Sequence, residues 1–338
     1  LASYSNACGV TMRYCLVAPG TSVYVGPDST AGNLSYFYGS GTSFAVPLVS
    51  GAAALVWQAD PYFNNDLVRQ TLLGTATDLG AAGVDPTFGY GLLNVGKAVL
   101  GPARFDWGTV DVTVNTLRST WANDISGNGG LTKRGSGTLV LSSTANTFAG
   151  DIQVLGGTLQ TASLQSARVG VASGASLIGS GRIAGTLNNA GTVQVNGATL
   201  AVAGNYIQDS TGRLALNVGD RLNVTGTASI AGELQLLGRR DYVVDNATYT
   251  LLQAAGGLQG TFGTVTRGPA VTFLDASVTY DSNNAYLALR GLTATAVAST
   301  LGLSGTTAMD SAVRFEQAFQ QVDVQLLQGS GAISSGFV

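Results

Sequence analysis

From about residue 107 to residue 292, apolar and polar positions alternate in short runs between glycine-containing turns. Thr138 to Ser142 reads Thr-Leu-Val-Leu-Ser, and Ile152-Gln-Val154 follows after a turn. Gly157-Thr-Leu-Gln160, Gly185-Thr-Leu-Asn188, Gly191-Thr-Val-Gln-Val195 and Gly197-Ala-Thr-Leu-Ala-Val202 continue the theme. A period of two means one face in and one face out. Each strand carries a single apolar row that it cannot bury alone, and stacking successive coils joins those rows into one core. The pattern predicts a right-handed parallel β-helix from about residue 125 to about 290. Leu139, Leu141, Ile152, Val154, Leu159, Val193, Val195, Leu200 and Val202 should point inward. A β-sandwich is the competing architecture, but its strands usually sit in longer hairpins with more aromatic residues inside.

The ends of the chain follow a different rhythm. Ser43 to Ala59 has helical length and is apolar on nearly every side, which predicts a central buried helix. Asn64 or Asn65 can cap a second helix carrying Leu67, Leu72 and Leu73. Gly101-Pro102 marks a boundary. Near the other end, Met309, Ala312, Val313, Phe319, Val322 and Leu326 share one helical stripe. The organisation expected is an α/β region over 1–102 and a linker or first coils over 103–124. A β-helix follows over 125–292, and a helical linker over 293–338.

Composition sharpens this picture. Only 10% of residues are charged, against 45% hydrophobic, and Gly occurs 47 times. Glu is confined to Glu233 and Glu316, and Lys to Lys97 and Lys133. Helix surfaces favour those residue types, so the composition does not suggest a helical bundle. Net charge is −3 with no basic stripe, which argues against a nucleic-acid partner. No run of 18 apolar residues marks a transmembrane helix, and the first residues lack a signal-peptide pattern. The chain is expected to open in the middle of a domain.

Candidate chemistry is sparse. Histidine is absent altogether. Cys8 and Cys15 flank a short glycine-containing turn, as a local disulfide or as two reduced core thiols. The absence of metal-ligand partners nearby favours the disulfide and an oxidising compartment. No carboxylate pair suggests a glycosidase, no Cys/His cluster a metal site, and no acidic glycine-rich nonapeptide calcium. Gly91, Gly96 and Lys97 have phosphate-loop spacing, but Ala98 stands where a hydroxyl must hold Mg²⁺. No cofactor is expected.

The strongest local signal is Gly39-Ser-Gly-Thr-Ser43-Phe-Ala-Val-Pro47, which puts a serine at the entry to a helix. A helix N-terminus offers unpaired N–H groups and a partial positive charge to a developing oxyanion. A plain N-cap is the alternative for an isolated serine. The segment resembles the nucleophile motif of the subtilisin-like serine proteases, with Phe44 where the family usually has Met. Ala2-Ser-Tyr-Ser-Asn6 and Leu16-Val-Ala-Pro-Gly20 before it, and Pro61 and Phe88-Gly-Tyr-Gly-Leu-Leu-Asn94 after it, resemble the same family in the same order. The resemblance implies that Ser43 is the acylating nucleophile and a backbone oxyanion donor, and that the Thr42 hydroxyl assists the oxyanion hole. It also implies that the family's Asp, His and oxyanion Asn precede Leu1.

A second resemblance is to the passengers of bacterial autotransporters. It rests on Gly130-Leu-Thr-Lys-Arg-Gly-Ser-Gly-Thr-Leu-Val-Leu-Ser142, Asn146-Thr-Phe-Ala-Gly150 and Val154-Leu-Gly-Gly-Thr-Leu159. Asp220-Arg-Leu-Asn-Val-Thr-Gly226, Tyr249-Thr-Leu-Leu-Gln253 and Ala285-Tyr-Leu-Ala-Leu289 resemble the pertactin-like end of such passengers. Together the resemblances imply a secreted or surface-exposed serine endopeptidase of a Gram-negative bacterium, acting on protein or peptide substrates. The partner implied is its own outer-membrane β-barrel after Val338. The chain alone is expected to be inactive. The alternative is a structural or adhesive β-helical surface protein with a vestigial protease region.

Overall fold

The computed structural model describes residues 1–239, 248–268, 271, 274–300, 302–303 and 305–327. The first part holds a 3₁₀ helix, Gly9–Tyr14, and strands β1 (Thr21–Val25) and β2 (Tyr36–Ser40). Helices α1 (Thr42–Ala59), α2 (Asn65–Gly74) and α3 (Val95–Ala98) follow. The solenoid opens with β3 (Val110–Thr113), β4 (Arg118–Trp121), β5 (Leu131–Arg134), β6 (Thr138–Leu141), β7 (Ile152–Val154) and β8 (Thr158–Leu164). It continues through β9 (Arg168–Val171), β10 (Ser176–Ile183), β11 (Thr186–Asn189), β12 (Thr192–Val202), β13 (Tyr206–Gln208) and β14 (Arg213–Val218). Next come β15 (Arg221–Val224), β16 (Ala228–Ile230), β17 (Glu233–Arg239), β18 (Thr248–Ala254), β19 (Leu258–Gly260) and β20 (Thr264–Arg267). Strands β21 (Leu274–Tyr280) and β22 (Asn284–Gly291) and helices α4 (Ala294–Thr300) and α5 (Thr306–Leu327) end the chain.

Consecutive coils stack in parallel into two sheets. One runs β3-β5-β7-β9-β11-β13-β16-β19, and the other carries β4, β6, β8, β10 and β12 with the strands that follow. Stacking aligns identical positions of successive coils. Leu139, Leu159, Leu177, Val193, Leu214 and Leu234 form one such column, each fully buried. Leu131, Ile152, Val169, Leu187, Tyr206 and Ala228 form another. All nine positions read from the sequence as inward are buried. A single apolar core runs from Ala52 and Val56 in α1 to Leu289 in β22.

A third column changes character along the axis. Lys133, Val154, Val171, Asn189 and Gln208 occupy equivalent inward positions at the last turn before the corner. Corners turn backbone carbonyls inward, and each buried carbonyl needs a donor. Gln208 Nε2 donates to the carbonyls of Gly212, Ala231 and Glu233, and Asn189 Nδ2 to that of Arg213. Lys133, fully buried, donates from Nζ to the carbonyls of Gly135, Gly137 and Gly156 at 2.6–2.8 Å. Burial pulls its pKa down to about 8, and the three acceptors use every proton the ammonium carries. Gly157 sits at φ +58 beside it, and a Cβ there would lie 2.6 Å from Nζ. Lys133→Met fills similar space but takes the Nζ donor from the Gly135 and Gly156 carbonyls, while the Gly137 carbonyl keeps the Thr158 N–H. The expected cost is about 2–4 kcal/mol, read from the urea midpoint at constant m-value.

The last strands depart from the parallel pattern. Strand β22 pairs antiparallel with both β18 and β21. The turn between β21 and β22 is fixed by Asp281, whose Oδ1 accepts from the N–H groups of Asn283 and Asn284. Its carbonyls then accept from Leu258 and Ala254, so the hairpin folds over the end of the coil and covers an exposed edge.

Helix α5 packs on α4 through Ala312 and Met309 against Ala294 and Ala298. Val313, Phe315 and Phe319 on the same helix remain exposed. The burial of Val322 and Leu326, two further positions of the predicted stripe, lies outside the described residues.

Candidate active site

The hairpin β1–β2 delivers the chain to the serine. Its strands pair antiparallel from Thr21↔Ser40 to Val25↔Tyr36, and Gly41 N–H donates to the Gly20 carbonyl at 2.8 Å. Gly41 is the N-cap of α1, so Thr42 and Ser43 are the first two helical residues. Both are exposed. Gly41 has no side chain to cap with, so the Thr42 and Ser43 N–H groups at the positive end of the helix receive no side-chain cap, while Phe44 N–H is held by the Gly41 carbonyl at 3.1 Å. The tip of the Phe44 ring abuts Gly39, where a Cβ would collide with it, and the ring lies 5.6 Å from that of Tyr24.

A proline so close to a helix start is expected in the first turn, but Pro47 is the sixth residue of α1. Its missing N–H would have served the Ser43 carbonyl, so that carbonyl stays free of the helical ladder. Among the described residues no hydrogen bond to Ser43 Oγ is present, and no histidine exists to make one. The geometry supplies an exposed serine at a helix N-terminus with no base beside it among the described residues.

Helix α1 is a second correction. Its composition predicted burial all round, yet only Ala52 and Val56 are buried, while Val46, Leu48, Leu55 and Trp57 are exposed. Ala52 and Val56 lie one turn apart and join the core shared with α2 and α3. With 18 apolar-rich residues the helix has the length and composition of a membrane span, a property shared by the core helices of globular proteins. The absence of an 18-residue apolar run in the sequence did not reveal this.

Cys8 and Cys15 are bonded, with Cα atoms 5.9 Å apart across the 3₁₀ helix. The strap docks on the turn before α3. Cys8 and Gly9 N–H groups donate to the carbonyls of Thr87 and Pro86, and Tyr90 N–H to that of Cys15. A cleft of about 660 Å³ separates the strap from α1, lined by Tyr4, Ser5, Thr42, Ala45, Val49 and Phe88 among others. Reduction of the disulfide should cost about 2–3 kcal/mol by the loop-entropy model. Thermal melts with and without a thiol reductant measure it.

Sequence reasoning missed a polar cluster where α1 ends. Oδ1 of Asp60, the C-cap of α1, lies within hydrogen-bond distance of Ser119 Oγ at 2.7 Å and of Tyr62 OH at 3.1 Å. Tyr62 OH and Ser119 Oγ are 2.8 Å apart, and Trp121 Nε1 donates to Tyr62 OH at 2.9 Å. Asp60 and Tyr62 belong to the helical segment, Ser119 and Trp121 to the first solenoid coil. No spacing along the chain links positions almost sixty residues apart.

Residues 1–91 match the subtilase family, and residues 131–161 match the passenger-associated-transport-repeat. The class is therefore a subtilase segment joined to an autotransporter passenger solenoid. Among known proteins, the chain is 38% identical over 252 residues to the Neisserial autotransporter lipoprotein NalP of Neisseria meningitidis serogroup B, covering 70% of this chain and 22% of that protein. It is 34% identical over 233 residues to an extracellular serine protease of Serratia marcescens, covering 53% and 22%. Subtilisin Savinase of Lederbergia lenta is 42% identical over 83 residues, or 25% of this chain and 28% of that enzyme. The chain thus spans 22% of the length of each of the first two of these relatives.

Proposed function

We propose that this chain is the nucleophile-bearing part of a subtilisin-like serine endopeptidase of the autotransporter kind. Its proteins are secreted or displayed on the surface of Gram-negative bacteria. The observation that supports the reading most is Gly41-Thr42-Ser43 at the N-terminus of α1, within the segment that matches the subtilase family. Ser43 Oγ would attack the peptide carbonyl, and the Ser43 N–H, at the positive end of α1, would receive the oxyanion. Thr42, exposed beside it, would add a hydroxyl donor. A histidine, oriented by an aspartate, would take the serine proton and return it to the leaving amine. Both would come from a longer polypeptide, as would the oxyanion asparagine. The solenoid would carry this catalytic segment, and a translocating β-barrel would be its partner.

The test is hydrolysis of a denatured protein substrate by the full-length protein and by its Ser43→Ala variant. Proteolysis by the first and none by the second supports the reading. A folded full-length protein with no proteolysis overturns it and leaves the solenoid as a structural or adhesive element.

A further inference from the structure

The oxygens of Asp60 (Oδ1), Tyr62 and Ser119 form a closed triangle with edges of 2.7, 2.8 and 3.1 Å. Every edge is within hydrogen-bond distance, so every edge calls for a proton. The two hydroxyls supply one proton each. Trp121 Nε1–H enters from outside on the Tyr62 oxygen and serves none of the three edges. With Asp60 ionised, two protons must serve three edges, and one edge becomes a contact between lone pairs. A proton on Asp60 Oδ1 supplies the third. Asp60 then donates to Tyr62, Tyr62 to Ser119, and Ser119 back to Asp60, with every edge satisfied.

We propose that Asp60 carries a proton in the folded protein, and that this proton makes the joint between α1 and the first solenoid coil a pH-sensitive clamp. The surroundings agree. Asp60 is 3% exposed, and burial raises its pKa against the opposing hydrogen bonds from Ser119, Tyr62 and Trp121. It also follows the last turn of an 18-residue helix, whose partial negative charge disfavours a carboxylate. Among the described residues no ion pair to Asp60 is present. Helix α1 carries no charged residue, Asp66 and Arg69 of α2 pair with each other, and Arg118 of β4 reaches Gln160. Lys97 of α3 meets the neighbouring loop through its carbonyl, which accepts from Asn123. Tyr62 is the titratable group in contact, and burial raises its pKa too, so it stays a neutral donor.

The folded protein therefore binds this proton more tightly than the unfolded chain. The clamp's contribution is fully present below the ordinary carboxylate range and is lost as pH rises through the raised value of Asp60. The inference concerns the joint and holds whether or not Ser43 is a nucleophile.

The experiment uses this chain with its aspartyl carboxyl carbons labelled with ¹³C and follows their NMR titration. One carboxyl titrating well above the others, absent from Asp60→Asn, is the result expected. Thermal melts across the same pH range supply a second readout. The wild type should lose stability relative to Asp60→Asn as pH rises, and Ser119→Ala, which opens the triangle, should flatten that loss. A set of aspartates that all titrate in the ordinary range overturns the proposal. So do wild-type and Asp60→Asn melting profiles that run parallel.

Discussion

Treated with a serine-directed fluorophosphonate, this chain should leave Ser43 unlabelled, whereas a full-length parent should label strongly and lose the label in Ser43→Ala. A serine hydroxyl is a weak nucleophile at neutral pH and needs a base within hydrogen-bond reach. The chain has no histidine, and its two lysines are committed elsewhere. Lys133 is buried in the solenoid on three carbonyls, and Lys97 closes the short helix α3. In serine proteases of this mechanism, loss of the base alone lowers turnover about a millionfold. What remains at Ser43 is the helix N-terminus, which polarises a bound carbonyl but cannot remove a proton. Labelling of the isolated chain at a rate near that of the parent would show that some other group activates the serine. Labelling of the parent that persists in Ser43→Ala would move the nucleophile elsewhere.

The solenoid was legible because its code is local. A strand such as Thr138–Leu141 states its own inside and outside through alternation, and the next coil repeats the statement with Thr158-Leu159 in register. Burial follows the code wherever the inward residue is aliphatic. It fails at Lys133, where a charge reads as outward but is fully buried, since its acceptors are corner carbonyls that have no side-chain signature. The closing hairpin was not legible either. Strand β22 has the same alternation as its parallel neighbours, and period two does not encode strand direction.

The serine site divides the same way. Glycine spacing and the apolar run after Ser43 announced a serine at a helix entry, and α1 begins at Thr42. The apolar run also suggested a helix buried on all sides. Composition reports what a helix can bury, not what is there to bury it, and here the core fully covers Ala52 and Val56 and partly covers Val49 and Ala53. The joint at the far end of α1 was invisible, because Asp60-Pro61-Tyr62 reads as an ordinary helix-ending turn. Its partners Ser119 and Trp121 arrive only through the coil's own fold.

Trp121→Ala should be the most damaging single substitution at that joint. The side chain is fully buried, and its ring meets Phe63 of the helical segment edge-on at 5.8 Å and Phe105 at 6.3 Å. Phe105 in turn packs on Phe148, one coil further along. Truncating a buried tryptophan costs about 3–5 kcal/mol through lost transfer energy and the cavity left behind. Losing the Nε1–H bond to Tyr62 adds about 1 kcal/mol and leaves the triangle of Asp60, Tyr62 and Ser119 without its outside donor. Trp121→Phe keeps most of the ring contacts and should cost less than half as much. Because this residue joins the core of α1 and α2 to that of the coils, the loss should also split a single transition into two. The helical segment would then melt before the solenoid. Trp57 in α1 reports the first event by fluorescence, and far-ultraviolet circular dichroism reports the β-sheet. Coincident transitions in Trp121→Ala, with a shift in the urea midpoint worth less than about 1.5 kcal/mol, would show that the two parts are held together by other contacts.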